Sequence, residues 1–159
     1  MIFGVGAVAI IIDTQFFSKY FFNAYFHILT GIFGILILSF SIRIAKITGR
    51  ILSRYGKQGD IPKFETNKLV DIGPYKYMRH PMHFGLLFMP IGWGLVLGSP
   101  TFLLIFAPLE VIFILIMIYL VEEPEVKRKF GDEYMKKFGD KPWFCIRYEC
   151  LRALINYDI

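Results

Sequence analysis

Charge is scarce in these 159 residues: Asp, Glu, Lys and Arg make up only 19%, against 55% hydrophobic and 18% aromatic, with mean hydropathy +0.52. That balance excludes an ordinary soluble domain, in which about a quarter of residues are charged. Cysteine is nearly absent. Cys145 and Cys150 have no C-x-x-C spacing and no histidine cluster beside them, so neither a structural zinc site nor a redox pair is expected, and no metal ligands are assigned. The first residues lack a basic stretch and a small-residue cleavage site, so Met1–Ile12 reads as a retained segment rather than a secretory signal. No internal repeat, low-complexity tract or linker interrupts the chain, and residues 1–159 read as a single membrane-embedded domain.

What the sequence does contain is long apolar runs. Ala24–Ile42, Pro81–Leu97 and Thr101–Val121 approach or meet the ~20 residues a helix needs to cross hydrocarbon. Met1–Ile12 is apolar but only about 18 Å long at ~1.5 Å per residue. It spans if Asp13, Thr14 and Gln15 sit in the interface or the helix continues toward Tyr25. The expected fold is an all-α polytopic bundle of about four transmembrane helices. An amphipathic interfacial helix is expected over Lys127–Phe138, with Trp143, Phe144 and Tyr148 anchoring the tail.

Nine of the 18 Lys and Arg residues fall within Arg43–Arg79 and eight within Lys127–Arg152, which places both segments on the cytoplasmic side. The uncharged Gly98-Ser99-Pro100 turn faces away. The net charge of +5 is no sign of nucleic acid, because the basic residues flank spans and alternate with Asp60, Glu65 and Asp71. Topology and anionic lipid headgroups account for them. Arg43–Arg79 is the longest polar segment and reads as a loop broken by Gly49, Gly56, Gly59, Pro62, Gly73 and Pro74.

A short turn at Gly98–Pro100 makes the third and fourth runs an antiparallel pair of about 25 and 31 Å, at ~1.5 Å per residue. Their far ends, Arg79-His80-Pro81 and Glu122-Glu123-Pro124, must then lie at one depth, which predicts a polar pocket at the inner membrane surface. His80 is pushed toward an extended conformation by Pro81, and Pro81 suits the first helical position. The free N–H groups of that helix start, with Arg79 and His80, suit an anion. Glu122 and Glu123 suit a cationic centre and, as acids at a helix C-terminus, oppose its dipole. Each end also has a plainer reading, Arg79 as a headgroup anchor and the glutamates as a solvated helix end.

Gly73-Pro74-Tyr75, Arg79-His80-Pro81-Met82-His83-Phe84-Gly85, Glu122-Glu123 and Phe130-Gly131-Asp132-Glu133-Tyr134 together resemble the isoprenylcysteine carboxyl methyltransferase and phospholipid methyltransferase superfamily in order and spacing. The resemblance covers roughly residues 73–142. It implies a membrane-embedded enzyme that uses S-adenosyl-L-methionine from the cytosol and takes a lipidic or prenylated methyl acceptor from the bilayer. By position, it implies that Tyr75, Arg79, His80, Pro81, His83, Gly85, Glu122 and Glu123 bind the cofactor, with Arg79, His80 and Glu123 catalytic. His83 stands where the family usually has tyrosine, and Phe138 replaces another common tyrosine.

The leading expectation is a prenylcysteine-type carboxylate acceptor, with a phospholipid amine as the alternative. A membrane reductase of the sterol-reductase type and a non-enzymatic membrane protein are the rivals from other classes. Glu110, mid-span beside Pro108, reads as structural or as part of a lipid tunnel about equally with a catalytic role, and is not counted among the catalytic residues. Gly92-Trp93-Gly94 reads as helix packing, and the aromatics from Phe16 to Phe26 as an interfacial belt.

Overall fold

The computed structural model describes residues 2–60, 62 and 66–155, so Met1 and Glu65 lie outside the described residues. Every regular element in it is helical: α1 (Ile2–Phe16), α2 (Ser18–Phe21), α3 (Ala24–Tyr55), α4 (Pro81–Leu87), α5 (Met89–Leu97), α6 (Ala107–Met117), α7 (Glu123–Phe138) and α8 (Tyr148–Ile155). A 3₁₀ turn covers Gly73–Lys76, and π-helical turns cover Phe102–Phe106 and Ile118–Glu122.

The prolines explain the irregular turns. Pro108 and Pro124 have no N–H to give the carbonyls four residues back, and their rings crowd those carbonyls. A widened π turn ends two residues before each of them, so the helix absorbs the proline and runs on. As a result Phe102–Phe138 is one helix of 37 residues. The expected boundary at Pro124 is not a break; the kink falls later, at Gly131, whose φ 50° and ψ −129° suit glycine. Pro90 acts differently, and the helix is interrupted at Phe88 between α4 and α5.

Two helices, Ala24–Tyr55 and Phe102–Phe138, are long and apolar enough to cross a membrane, while Gly6–Phe16 and Pro81–Leu97 are apolar but shorter. Two of the four expected spans therefore meet the length criterion. The apolar side chains of the long pair point outward: Ile28, Phe33, Leu36, Leu109, Phe113 and Leu120 are each more than half exposed. Such a surface is a liability in water and suits lipid.

The stretch expected to be a loop from Arg43 is helical as far as Tyr55. Ile44, Ile47, Thr48 and Ile51 are buried at helical spacing, and this face outweighs Gly49, so α3 ends only at Gly56.

The chain forms two compact units, residues 1–41 with 86–116 and residues 42–85 with 117–159. In the first, Ala9, Phe102 and Ala107 make a buried cluster. A Cβ at Gly34 would lie 2.6 Å from the Val96 nitrogen and 2.8 Å from the Gly92 carbonyl oxygen, so α3 and α5 touch backbone to backbone. Gly92 and Gly94 are thus packing residues, as expected. Asp13, fully buried, accepts hydrogen bonds from the Ser99 hydroxyl and from the Thr101 N–H at 2.9 Å. It caps the helix that begins after the turn.

In the second unit Ile47 and Ile51 pack with Val70 and Tyr75. Cys145 and Cys150 are joined by a disulfide with a Cα–Cα distance of 5.9 Å, a pairing that their spacing did not lead us to expect. The start of α8 folds back far enough for a separation of five residues to close.

Candidate active site

The second unit brings the two charged ends together. His80 Nε2 lies 2.9 Å from Glu123 Oε1, and Arg79 donates to Glu123 Oε2 at 3.2 Å. His83 Nε2 lies 2.9 Å from Glu122 Oε1, and His80 Nδ1 is 3.6 Å from Glu122 Oε2. Residues about forty apart in sequence thus share one cluster, as the length match of the two helices predicts.

The two glutamates differ in what they do. Glu123 is 4% exposed and satisfied on both oxygens: Tyr134 Oη donates to Oε1 at 2.8 Å, and Lys127 lies 3.2 Å from Oε2. Glu122 retains 36% of its side-chain surface and pairs with the two imidazoles. Both lie beyond Val121, where the apolar stretch ends. Burial pushes the Glu122 carboxyl up, but the neighbouring imidazoles of His80 and His83 outweigh it and hold it at about 2. Burial likewise raises Glu123, and the bonds from His80, Tyr134 and Lys127 with the Arg79 charge bring it below the ordinary carboxylate range. Burial pushes the Tyr75 hydroxyl well up, with the Glu122 charge adding to it.

Arg79 is occupied by the chain itself. Its Nε donates to the Lys141 carbonyl at 2.7 Å and its Nη2 to the Gly139 carbonyl at 2.7 Å. The backbone follows, with Arg79 N–H donating to Pro142 O at 3.0 Å and His80 N–H to Trp143 O at 3.2 Å. Residues 139–143 are thereby tied to the start of α4. Trp143 stands edge-on to His80 with ring centroids 6.0 Å apart. Lys141 covers the Phe138 ring at 4.2 Å and pairs with Asp71.

A partly open cavity of about 220 Å³ is lined by Tyr75, Arg79, His80, Pro81, His83 and Glu122 among the residues expected from sequence. Gly85 and Glu123 do not line it: Gly85 is buried further along α4, and Glu123 lies behind His80. Sequence reasoning missed Leu52 of α3 and the 68–70 segment; the remaining wall is Val126, Phe130, Tyr134 and Phe138 of α7, mostly from the helix expected over Lys127–Phe138, though these residues were not singled out as site residues. Their signal was the spacing of Phe130, Tyr134 and Phe138, four residues apart on one helix face. Tyr134 and Phe138 stack with centroids 5.4 Å apart. Glu110 belongs to the other unit and takes no part.

The arrangement supplies a half-exposed carboxylate and two imidazoles on one wall and aromatic rings on another. That chemistry suits a cationic ligand with an apolar body. No curated protein and no solved structure gives a significant match to the chain. The family model described as phospholipid methyltransferase matches residues 22–133, which is well over half of the chain and includes α4, both glutamates and the start of α7. The chain therefore belongs to the phospholipid methyltransferase family, within the membrane methyltransferases that also include the isoprenylcysteine carboxyl methyltransferases.

Proposed function

We propose that the protein transfers a methyl group from S-adenosyl-L-methionine to an amphiphilic acceptor taken from the bilayer, a lipid or prenylated-cysteine carboxylate. The observation that carries this reading is the pairing of the Glu122 carboxylate with the aromatic wall of Tyr75, Phe130, Tyr134 and Phe138 around one cavity. A sulfonium cation attached to an apolar, stackable body calls for that donor set. When bound, the cofactor supplies an electrophilic methyl group on a positively charged sulfur.

The chain's own residues then act mainly by position. Glu122 opposes the cationic charge, and His83 fixes the Glu122 carboxylate through its bond at 2.9 Å. His80, held through Nε2 by Glu123, presents its other ring nitrogen toward Glu122. We assign His80 the direct role and make Arg79 and Glu123 positioning residues, because each Arg79 nitrogen and both Glu123 oxygens are engaged within the protein. The aromatic wall excludes water, which strengthens each of these interactions.

Displacement at the methyl carbon needs no base when the acceptor is a carboxylate. A phospholipid amine is the second reading, favoured by one observation: the Glu122 carboxylate is ionised and accessible, so it can hold the ammonium of such an acceptor by charge, while a carboxyl held at about 2 is too weak a base to take its proton. The whole chain acts as one methyltransferase domain of four spans, with the basic segments and the cavity toward the cytoplasm.

Calorimetry on the purified protein in detergent tests the reading. S-adenosylmethionine is expected to bind, and Glu122→Gln is expected to weaken it at least about tenfold, roughly 1.4 kcal/mol. Transfer of labelled methyl groups to prenylcysteine, fatty-acid and phosphatidylethanolamine acceptors then separates carboxylate from amine. Binding of a nicotinamide dinucleotide instead, or of neither cofactor, would refute the proposal.

A further inference from the structure

We propose that His80, His83 and Glu122 form a binding site for a divalent metal ion of the zinc class, and that an ion there excludes the cationic cofactor from the same cavity. One ligand atom from each of the three residues lies within 4.8 Å of the other two. In a tetrahedral zinc site, bonds of roughly 2.1 Å place neighbouring ligand atoms about 3.4 Å apart. Glu122 Oε1 lies 2.9 Å from His83 Nε2, and the other carboxylate oxygen, Oε2, lies 3.6 Å from His80 Nδ1, on either side of that value.

The hydrogen bonding of His80 leaves one ring nitrogen free to act as a ligand. Glu123 Oε1 can only accept, so His80 Nε2, 2.9 Å away, must donate to it. In the neutral ring this leaves the lone pair on Nδ1, facing the Glu122 carboxylate. Two electron-rich groups face each other there, and only a proton or a cation between them makes the arrangement favourable. A carboxylate behind a ligating imidazole is also the usual support of a metal-bound histidine, since it fixes the tautomer and raises ligand basicity. Glu123 occupies that position and is itself held by Arg79 and Tyr134. The positive charges of Arg79 and Lys127 are directed at Glu123. Among the described residues Glu122 is paired with imidazoles and with no lysine or arginine.

Two imidazoles with one carboxylate select zinc-class ions, because magnesium and calcium prefer all-oxygen shells. Three protein ligands leave a fourth position open, as in catalytic rather than structural zinc sites. All three ligands line the cavity assigned to the cofactor. A doubly charged ion and a sulfonium both depend on Glu122 and repel each other, which makes their binding mutually exclusive. Only this exclusion rests on the proposed function; the metal site itself does not.

The test uses the full-length protein in detergent, free of any histidine tag. Titration with Zn²⁺ by calorimetry is expected to show one ion per chain, and Co²⁺ is expected to give the visible absorption of a tetrahedral site. His83→Phe and Glu122→Gln should each weaken Zn²⁺ binding at least about tenfold, and His83→Phe should abolish the Co²⁺ spectrum. S-adenosylmethionine titrated into zinc-saturated protein should show an apparent Kd raised at least about tenfold over zinc-free protein. Absence of Zn²⁺ binding and of the Co²⁺ spectrum, or Zn²⁺ affinity unchanged in both variants, overturns the metal site. Binding of both ligands with an unchanged Kd overturns the exclusion. Cofactor binding without metal binding sinks this inference alone, whereas metal binding without cofactor binding sinks the proposed function and the exclusion and leaves the metal site standing.

Discussion

Glu123→Gln is the substitution that most directly tests how the site is held. The carboxylate is 4% exposed and accepts from His80 at 2.9 Å, Tyr134 at 2.8 Å and Arg79 at 3.2 Å, with Lys127 also at 3.2 Å. Glutamine keeps the shape but offers one accepting oxygen, and its NH₂ must face groups that are themselves donors. Removing one partner of a buried ion pair costs about 3–5 kcal/mol. Arg79 retains the carbonyls of Gly139 and Lys141, and Lys127 is half exposed and contributes little, so the lower end of that range applies, about 3 kcal/mol. For a chain of this size each kcal/mol lowers Tm by about 2–4 °C, so the variant should melt roughly 6–12 °C below the wild type. Thermal unfolding in detergent followed by tryptophan fluorescence reads this, since Trp143 stands against His80. Tyr134→Phe should cost about 1 kcal/mol alone and much less in the Glu123→Gln background, because the two groups share one bond. A Glu123→Gln protein melting within about 2 °C of wild type would refute the view that this carboxylate is the site's anchor.

Asp13→Ala should lower stability by about 1–3 kcal/mol, read in the same melts, by leaving the Thr101 N–H and the Ser99 hydroxyl buried without their acceptor. Gly34→Ala forces a methyl against the Val96 nitrogen and the Gly92 oxygen, and should cost about 1–3 kcal/mol; a neutral result would mean that α3 and α5 do not approach so closely. Gly131→Ala meets no neighbour but must adopt φ 50° and ψ −129°, so a loss of about 1–3 kcal/mol is expected from backbone strain alone. Calorimetry on the same variant should show weaker S-adenosylmethionine binding, because the kink aims Tyr134 and Phe138 at the cavity.

The meeting of Arg79 and His80 with the paired glutamates was legible from sequence, because two runs of matched length joined by a three-residue turn must return their ends to one level. The family motif supplied the cavity residues of α4 for the same reason: its members are adjacent in sequence. What remained hidden depends on side-chain orientation. Glu122 and Glu123 are neighbours in sequence, yet a rotation of about 100° per residue sends one to the cavity and the other beneath His80. The occupation of Arg79 by carbonyls of residues 139 and 141 could not be read, since backbone acceptors leave no trace in residue identity. The continuation of α3 to Tyr55 was readable in principle from Ile44, Ile47 and Ile51, but the glycines and charges around them carried more weight. The Cys145–Cys150 link escaped because a spacing of five matches no familiar pattern until the chain folds back.

The two widened turns ahead of Pro108 and Pro124 also fix the angular phase of everything that follows them. A deletion of one residue within 118–122 would narrow that turn and swing the downstream part of the helix by about 100°. Glu123, Tyr134 and Phe138 would then point away from His80 while the hydrophobicity of the segment hardly changed. Relatives that differ here by an insertion or deletion should therefore differ in what they bind, even where every named side chain is retained.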